Sequence, residues 1–282
     1  MRYHITEVQA RSILTRQKFG SLAGYYDFSL NPYAGCAFGC SYCYVPKFPN
    51  AEHEYTEWGT WVIVKTNAAQ LIARDRTLVF GSRIFFSSAT DPYQYLELKY
   101  RLSRQCLQEL LKYQPARLTM HTRSHLILQD LELLKAFGAV LQVGVSITTD
   151  DDDIRRQFEP GAPSIPRRLA LVRTLREAGI EVYASVAPLL PCDPDRLVRL
   201  LKPYVKRAWI DEMHYPEVNT RPYLLEQYAD FFEPANYKST IHRIASQLHI
   251  PPNPRYRRAA AAPSGKCARA ASQTLAVQGR LF

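Results

Sequence analysis

The chain has no apolar run approaching the roughly 20 residues that a membrane-spanning helix requires, which argues against a bilayer-embedded protein. Its opening, Met1-Arg2-Tyr3-His4-Ile5-Thr6-Glu7, leads into no apolar stretch of the kind that directs export, so a cytoplasmic location is expected. No internal repeat of fixed period is present, so a repeat array is not indicated. Acidic residues are in deficit: 26 Asp and Glu stand against 36 Lys and Arg, a formal charge of +10. That balance suits a polyanionic partner, above all nucleic acid, although an ordinary basic enzyme shares it.

Cysteine is sparse except in one place. Of six, three crowd into positions 36–43, while Cys106, Cys192 and Cys267 are scattered. Without an export signal, this lopsided spacing argues for metal binding rather than a disulfide framework.

With 282 residues, 46% of them hydrophobic, the chain is long enough for one large core or two small ones. Apolar strand-like segments at 25–30, 62–64, 83–87, 117–122, 141–147, 181–187 and 207–212 alternate with helical patterns. The helical patterns fall at 67–74, 102–113, 126–137, 166–178 and 194–202, and Gly179 supplies a helix stop. About six βαβ units result, which fit an incomplete (β/α) barrel or a doubly wound open sheet. Both folds place chemistry at the carboxyl ends of the strands. Ser87-Ser88-Ala89-Thr90-Asp91, Thr122-Arg123-Ser124 and Ser146-Ile147-Thr148-Thr149 each follow an apolar strand directly. They read as a shared polar rim, or individually as helix N-caps.

Residues 1–24 are polar and mixed, with no core pattern. From Pro251 onward the chain carries four prolines, the run Ala259 to Ala262 and no acidic residue, and it is expected to be a mobile arm. Its cations, Arg255, Arg257, Arg258, Lys266, Arg269 and Arg280, suit phosphates without reading sequence.

The segment Asn31-Pro32-Tyr33-Ala34-Gly35-Cys36-Ala37-Phe38-Gly39-Cys40-Ser41-Tyr42-Cys43-Tyr44-Val45-Pro46 spaces its thiols as C-x3-C-x2-C. Three thiolates on one short loop can converge on one inorganic centre, and Gly35 and Gly39 let the backbone wrap tightly. Structural zinc wants four protein ligands, for which His53 is a candidate. A cubane ordinarily takes four cysteines, so three leave one iron open to a small molecule.

This loop, with an aromatic residue just before its last cysteine, resembles the signature of the radical S-adenosylmethionine superfamily. The wider string resembles the branch of spore photoproduct lyase and the DNA-repair-photolyase-like proteins. The resemblance continues at Thr90-Asp91-Pro92-Tyr93-Gln94, at Ser146-Ile147-Thr148-Thr149 with Glu159-Pro160, and at Ala187-Pro188-Leu189-Leu190-Pro191, so it covers about residues 25–215. With it, the fold expected is α/β: a partial (β/α)6 TIM-like barrel over 25–250. A short extension (1–24) precedes it and a flexible basic tail (251–282) follows.

The resemblance implies that Cys36, Cys40 and Cys43 ligate three irons of a 4Fe–4S cluster. The fourth iron then chelates S-adenosylmethionine, which is cleaved reductively to a 5′-deoxyadenosyl radical that abstracts hydrogen from a substrate. It implies Tyr42, Thr90, Arg123 and Ser146 as cofactor-binding residues, against simple packing, capping or surface roles. Arg123 stands where the lyase has a lysine, which keeps the charge but changes its geometry. Tyr42 and Tyr44 flank Cys43 as the lyase's relay tyrosines do; plain packing is the alternative.

Ser88 stands where the lyase carries its hydrogen-donating cysteine, and a serine O–H bond is too strong to serve. Cys106 and Cys192 are other thiols, which buried surroundings would make inert. Asp91 is read as a cap or as orienting Thr90. Asp150 to Asp153 are read as a helix-capping loop rather than a divalent-metal site.

A nucleic-acid substrate is the leading expectation, as in DNA repair or base modification, with a reductase such as flavodoxin or ferredoxin as electron donor. A small molecule or peptide substrate, or a non-enzymatic zinc module that binds nucleic acid, are the alternatives. The last residues, Gln278-Gly279-Arg280-Leu281-Phe282, resemble the short peptide that docks bacterial repair proteins on the sliding clamp, with Gln278, Leu281 and Phe282 as its anchors.

Overall fold

The computed structural model describes residues 4–47 and 58–248. His53, Cys267 and the expected arm with Gln278, Leu281 and Phe282 lie outside the described residues.

Among the described residues ten strands form two sheets: β1 (His4–Val8), β2 (Leu14–Arg16), β3 (Phe28–Leu30), β4 (Tyr33–Ala34), β5 (Trp61–Lys65), β6 (Arg83–Phe86), β7 (Arg117–Thr122), β8 (Leu141–Ser146), β9 (Glu181–Val186) and β10 (Ala208–Ile210). The larger sheet runs β10-β9-β8-β7-β6-β3-β2. From β3 to β10 every neighbouring pair is parallel, and β2 closes the β3 side in antiparallel register. The six parallel strands are those expected of a partial TIM-like barrel.

Strand pleating decides what faces the helices. Ile84 and Phe86 of β6, Leu118 and Met120 of β7, Val143 and Val145 of β8, and Ala184 and Val186 of β9 enter one core. Leu107 and Leu110 from the helix Leu102–Tyr113 join them there, as do Leu171 and Leu175 from Ile165–Glu177 and Leu197 and Leu201 from Pro194–Leu201. The intervening residues of each strand line the inner wall.

The structure departs from the sequence expectations at three places. The first 24 residues contain strands, because edge pairing is satisfied by backbone groups and asks for no apolar alternation. All of β1 except Val8 is exposed, and among the described residues of that region Ile13 alone is buried. The 62–64 segment forms β5 of a separate three-stranded sheet, ordered β1-β5-β4, rather than a barrel strand. The expected helix over 126–137 divides into a 3-10 turn, His125–Asp130, and a helix, Leu131–Ala136. The break falls at Asp130, whose buried carboxylate accepts from Tyr93 Oη (3.0 Å) and Arg104 (2.5 Å). A further helix, Pro234–Gln247, packs Tyr237, Ile241 and Ile244 onto the barrel.

Beneath β4, the Tyr33 hydroxyl donates to the carboxylate of Glu97, which is fully buried. Burial raises Glu97 to about 7, against the bonds from Tyr33 and from the Arg104 amide. A carboxyl raised on folding makes the native state bind the extra proton. Stability is therefore undiminished below the ordinary value of 4.5 and falls as pH rises from there to about 7, by up to about 3 kcal/mol. Glu97→Gln is expected to flatten that decline, read as urea-unfolding midpoints of both proteins at pH 5 and 7.5.

Candidate active site

The cysteine loop runs from β4 to the 3-10 turn Val45–Lys47. Two successive turns bend it: Gly39 N donates to Cys36 O (3.2 Å) and Cys43 N to Cys40 O (3.1 Å). Gly35 and Gly39 sit at φ 77° and 57°, left-handed values that disfavour any side chain. The loop's own backbone is then pinned by the segments that follow the barrel strands. Ala37 N donates to Gln94 Oε1 (2.9 Å), beyond β6. Ser41 N donates to Phe158 O (2.8 Å) and Gly161 N to Phe38 O (3.0 Å), beyond β8. Thr220 N donates to Ser41 O (2.8 Å), beyond β10. The loop thus lies across the carboxyl ends of the strands, where α/β folds place their sites. Gly161 is required there, since a Cβ would stand 2.6 Å from Ala37 O and 2.9 Å from Phe38 Cα.

Cys36 and Cys40 are buried, Cys43 is half-buried, and all three are free thiols. Burial pushes Cys36 up to about 12, with the charges of Asp91 and Cys40 adding to it. Burial also raises Cys40, to about 11, while Arg123 works against the rise; Cys43 is raised further still. Such thiols stay protonated near neutral pH unless a bound metal compensates the thiolate charge. Among the described residues, no three His, Cys, Asp or Glu side chains stand close enough to share one metal ion. Three free thiols, buried or half-buried on one twice-turned loop, are a donor set whose thiolate charge an iron–sulfur cluster would compensate.

Behind the loop lies a buried polar centre. Tyr42, between Cys40 and Cys43, donates its hydroxyl to Glu159 Oε1. Arg123 Nη2 donates to Tyr42 Oη (3.0 Å), and Arg123 Nε to Glu159 Oε1 (3.3 Å). Thr148 Oγ1 donates to the same oxygen (3.1 Å). Arg168 donates Nη2 to Glu159 Oε2, Nη1 to Ser146 O (3.1 Å) and Nε to Pro163 O (2.8 Å). Glu159 and Arg168 have no exposure. Burial by itself would raise Glu159, but the Arg168 and Arg123 guanidiniums and the Tyr42 bond hold it at about 2.

The residues expected at the site sort into groups. Tyr42 and Arg123 meet directly. Thr90 braces the loop, donating Oγ1 to Gly35 O (2.7 Å) and accepting from Gln94 Nε2 (3.1 Å). Ser146, at the end of β8, joins the centre through Arg168. Tyr44 lies apart, 41% exposed, with its hydroxyl donating to Ser88 O (2.7 Å). The Asp91 carboxylate accepts from Tyr93 N (2.9 Å), Thr122 Oγ1 (2.8 Å) and Arg123 N (2.8 Å), so it caps its own turn and positions Arg123 rather than Thr90.

The aspartate run forms a capping loop. Asp151 accepts from Asp153 N (2.7 Å), and Asp152 pairs with Arg155 and Arg156, both at 2.9 Å. Burial raises the thiols of Cys106 and Cys192. Arg168 escaped the sequence reading. The signal was a charged residue on the apolar stripe of its helix, between Ile165 and Leu171, Val172 and Leu175.

Comparison with known proteins agrees with this layout. The model of the radical SAM superfamily matches residues 30–202. An uncharacterised protein of Methanocaldococcus jannaschii is 30% identical over 224 residues, which cover 78% of this chain and 84% of that one. An uncharacterised protein of Mycobacterium tuberculosis is 32% identical over 176 residues, 59% of this chain and 50% of its own length. This chain therefore matches about half of that relative.

Among solved structures, a spore photoproduct lyase variant superposes with a TM-score of 0.61 at 16% identity, over 86% of this chain and 79% of the lyase. A lyase variant with bound AdoMet and dinucleoside spore photoproduct gives 0.59 at 15%, with the same coverage. SuiB bound to precursor peptide SuiA gives 0.50 at 13%, over 72% of this chain and 46% of SuiB. At these identities the likeness is one of fold.

Proposed function

The chain belongs to the radical SAM superfamily, and on that premise we propose that Cys36, Cys40 and Cys43 hold three irons of its cluster and that its substrate is nucleic acid. It is a radical SAM enzyme, of a family that uses a 4Fe–4S cluster and S-adenosylmethionine. When bound, that pair supplies one-electron cleavage of S-adenosylmethionine and, with it, the power to abstract hydrogen from a substrate.

The chain's own residues do the positioning. The cysteine loop offers three thiols, and a cluster held by three would keep one corner for S-adenosylmethionine. Arg123, steadied by Glu159, Tyr42 and the Asp91 turn, brings positive charge to the loop on the side of Cys40. Thr90 keeps Gly35 in place, and Ser146, at the carboxyl end of β8, is a further residue that we assign to the cofactor. Tyr42 anchors the loop, and Tyr44, which is more open and bonded to the Ser88 carbonyl, is the tyrosine we assign to hydrogen relay. Ser88 argues for a reaction other than spore-photoproduct reversal by a cysteine donor. A one-electron donor such as flavodoxin or ferredoxin is the partner this chemistry calls for.

The observation that carries the nucleic-acid reading is the charge of +10 on a fold shared with a lyase solved with a bound dinucleoside. The test is anaerobic incubation of the reconstituted, reduced protein with S-adenosylmethionine in deuterated solvent, with DNA, RNA or peptide added. Oligonucleotides are expected to raise 5′-deoxyadenosine formation and to bind less tightly as salt rises. Deuterium in the base or in 5′-deoxyadenosine would trace the hydrogen. Stimulation by peptide alone would replace nucleic acid with the peptide reading.

A further inference from the structure

The inner wall of the barrel carries a row of rings that neither the cysteine loop nor the buried polar centre uses. Phe85 lies between core residues Ile84 and Phe86, His121 between Met120 and Thr122, and Tyr183 between Val182 and Ala184, so strand alternation turns all three inward. Tyr26, just before β3, meets Phe85 with centroids 5.1 Å apart and planes at 79°. Phe85 meets His121 at 4.9 Å, and His121 meets Tyr183 at 5.4 Å.

His121 and Tyr183 belong to strands that β8 separates, and the β8 residue in register with both is Gly144. A Cβ on Gly144 would stand 2.6 Å from His121 Cδ2 and 2.8 Å from Tyr183 Cζ. The bare backbone there lets the two rings join over it, with a hydrogen bond between Tyr183 Oη and His121 Nε2.

A barrel interior serving only as core fills with branched aliphatic side chains in layers. Here the wall is aromatic, and Tyr26, His121 and Tyr183 keep part of their surface open. Thr119 Oγ1, inward and level with Phe85, is fully buried without a hydrogen-bond partner among the described residues. Burial and the nearby Arg123 lower His121 to about 4, so its imidazole is neutral at physiological pH. Tyr183 engages Nε2, which leaves Nδ1 for the edge of a ligand. Rings set at 58–79° to one another, with a few uncharged polar groups between them, match a planar heterocycle that stacks on one ring and meets the edge of the next.

We propose that this strip, Tyr26-Phe85-His121-Tyr183, is a stacking subsite for one unpaired nucleobase of the substrate strand. The proposal rests on the nucleic-acid reading and gives it a recognition element: the base is taken out of its stack and laid on the wall. Arg123, two residues beyond His121 on the same chain segment, ties the strip to the cofactor side of the site.

The test uses the anaerobically reconstituted holoenzyme with S-adenosylmethionine and equilibrium dialysis of two radiolabelled strands. One is tetrathymidylate; the other is the same tetramer with every base removed. Wild type is expected to prefer tetrathymidylate by roughly tenfold or more, the range that base–aromatic stacking supplies. Phe85→Leu and Tyr183→Leu should each abolish most of that preference. Tyr183→Phe, which keeps the ring, should retain it within about threefold. Cluster absorbance confirms that each variant is folded and loaded.

Equal binding of both strands by wild type, or a preference surviving both leucine variants, overturns the strip while leaving nucleic-acid binding intact. Failure of wild type to bind either strand is a different pattern, and it overturns the nucleic-acid reading together with the subsite.

Discussion

Alanine at Cys36, Cys40 or Cys43 is expected to give a folded protein that retains almost no cluster and forms no measurable 5′-deoxyadenosine. The loop keeps its course without the sulfurs, because its own backbone is bonded to the Gln94 side chain and to the backbone of Phe158, Gly161 and Thr220. What disappears is one corner of a three-cornered site. The loss in iron and sulfide per chain should exceed the roughly 10–100-fold in metal affinity that removing a mere outer partner costs. Cys106→Ala is the control, since that thiol faces the helix-packed core and should leave iron content unchanged. Full iron content in any of the three loop variants would falsify the assignment of ligands.

Glu159→Leu is expected to be the most destabilising single change in the barrel. It strips the partner from Arg168, which has no exposure, and from Arg123, and it leaves the Tyr42 hydroxyl and Thr148 without their acceptor. Breaking a buried pair by removing one member costs about 3–5 kcal/mol, because the remaining charge is left uncompensated. Urea midpoints measure it, and the Glu159→Leu/Arg168→Met double variant should recover much of the loss.

The pH dependence has a definite sign. Glu159 is lowered from 4.5 to about 2, so its stabilisation is complete above 4.5 and is lost as pH falls toward 2. Wild type should therefore weaken across that window relative to Glu159→Gln. Cluster loading should fall with stability in both Glu159 variants, since Tyr42 ties this centre to the loop. Unchanged loading in a destabilised Glu159→Leu protein would mean that the centre supports the barrel but not the cysteines.

Much of this is legible in the sequence. The strands at 117–122 and 181–187 announced themselves by apolar alternation next to helices with a stop or cap. The cysteine loop did so by spacing and glycines alone. What escaped was structure made by partners distant in sequence. Strand β1 pairs through backbone with β5, 57 residues on, and its exposed side chains record nothing of that pairing. Glu159 reads as a loop carboxylate until Arg123 and Arg168 converge on it from opposite sides. Gly144 reads as an ordinary strand glycine until the rings on two neighbouring strands are seen to need its missing side chain. Asp91 reads as a cap or as support for Thr90; it caps its own turn through the Tyr93 amide and also holds Arg123, just beyond β7, which its sequence neighbours do not announce.

The larger sheet never closes: β10 at one end and β2 at the other do not pair, among the described residues. A complete ring of eight staves can be entered only from its rim. With six parallel staves there is a seam along the side, so a looped-out unit of a long polymer can be offered to the interior without a free end being threaded through.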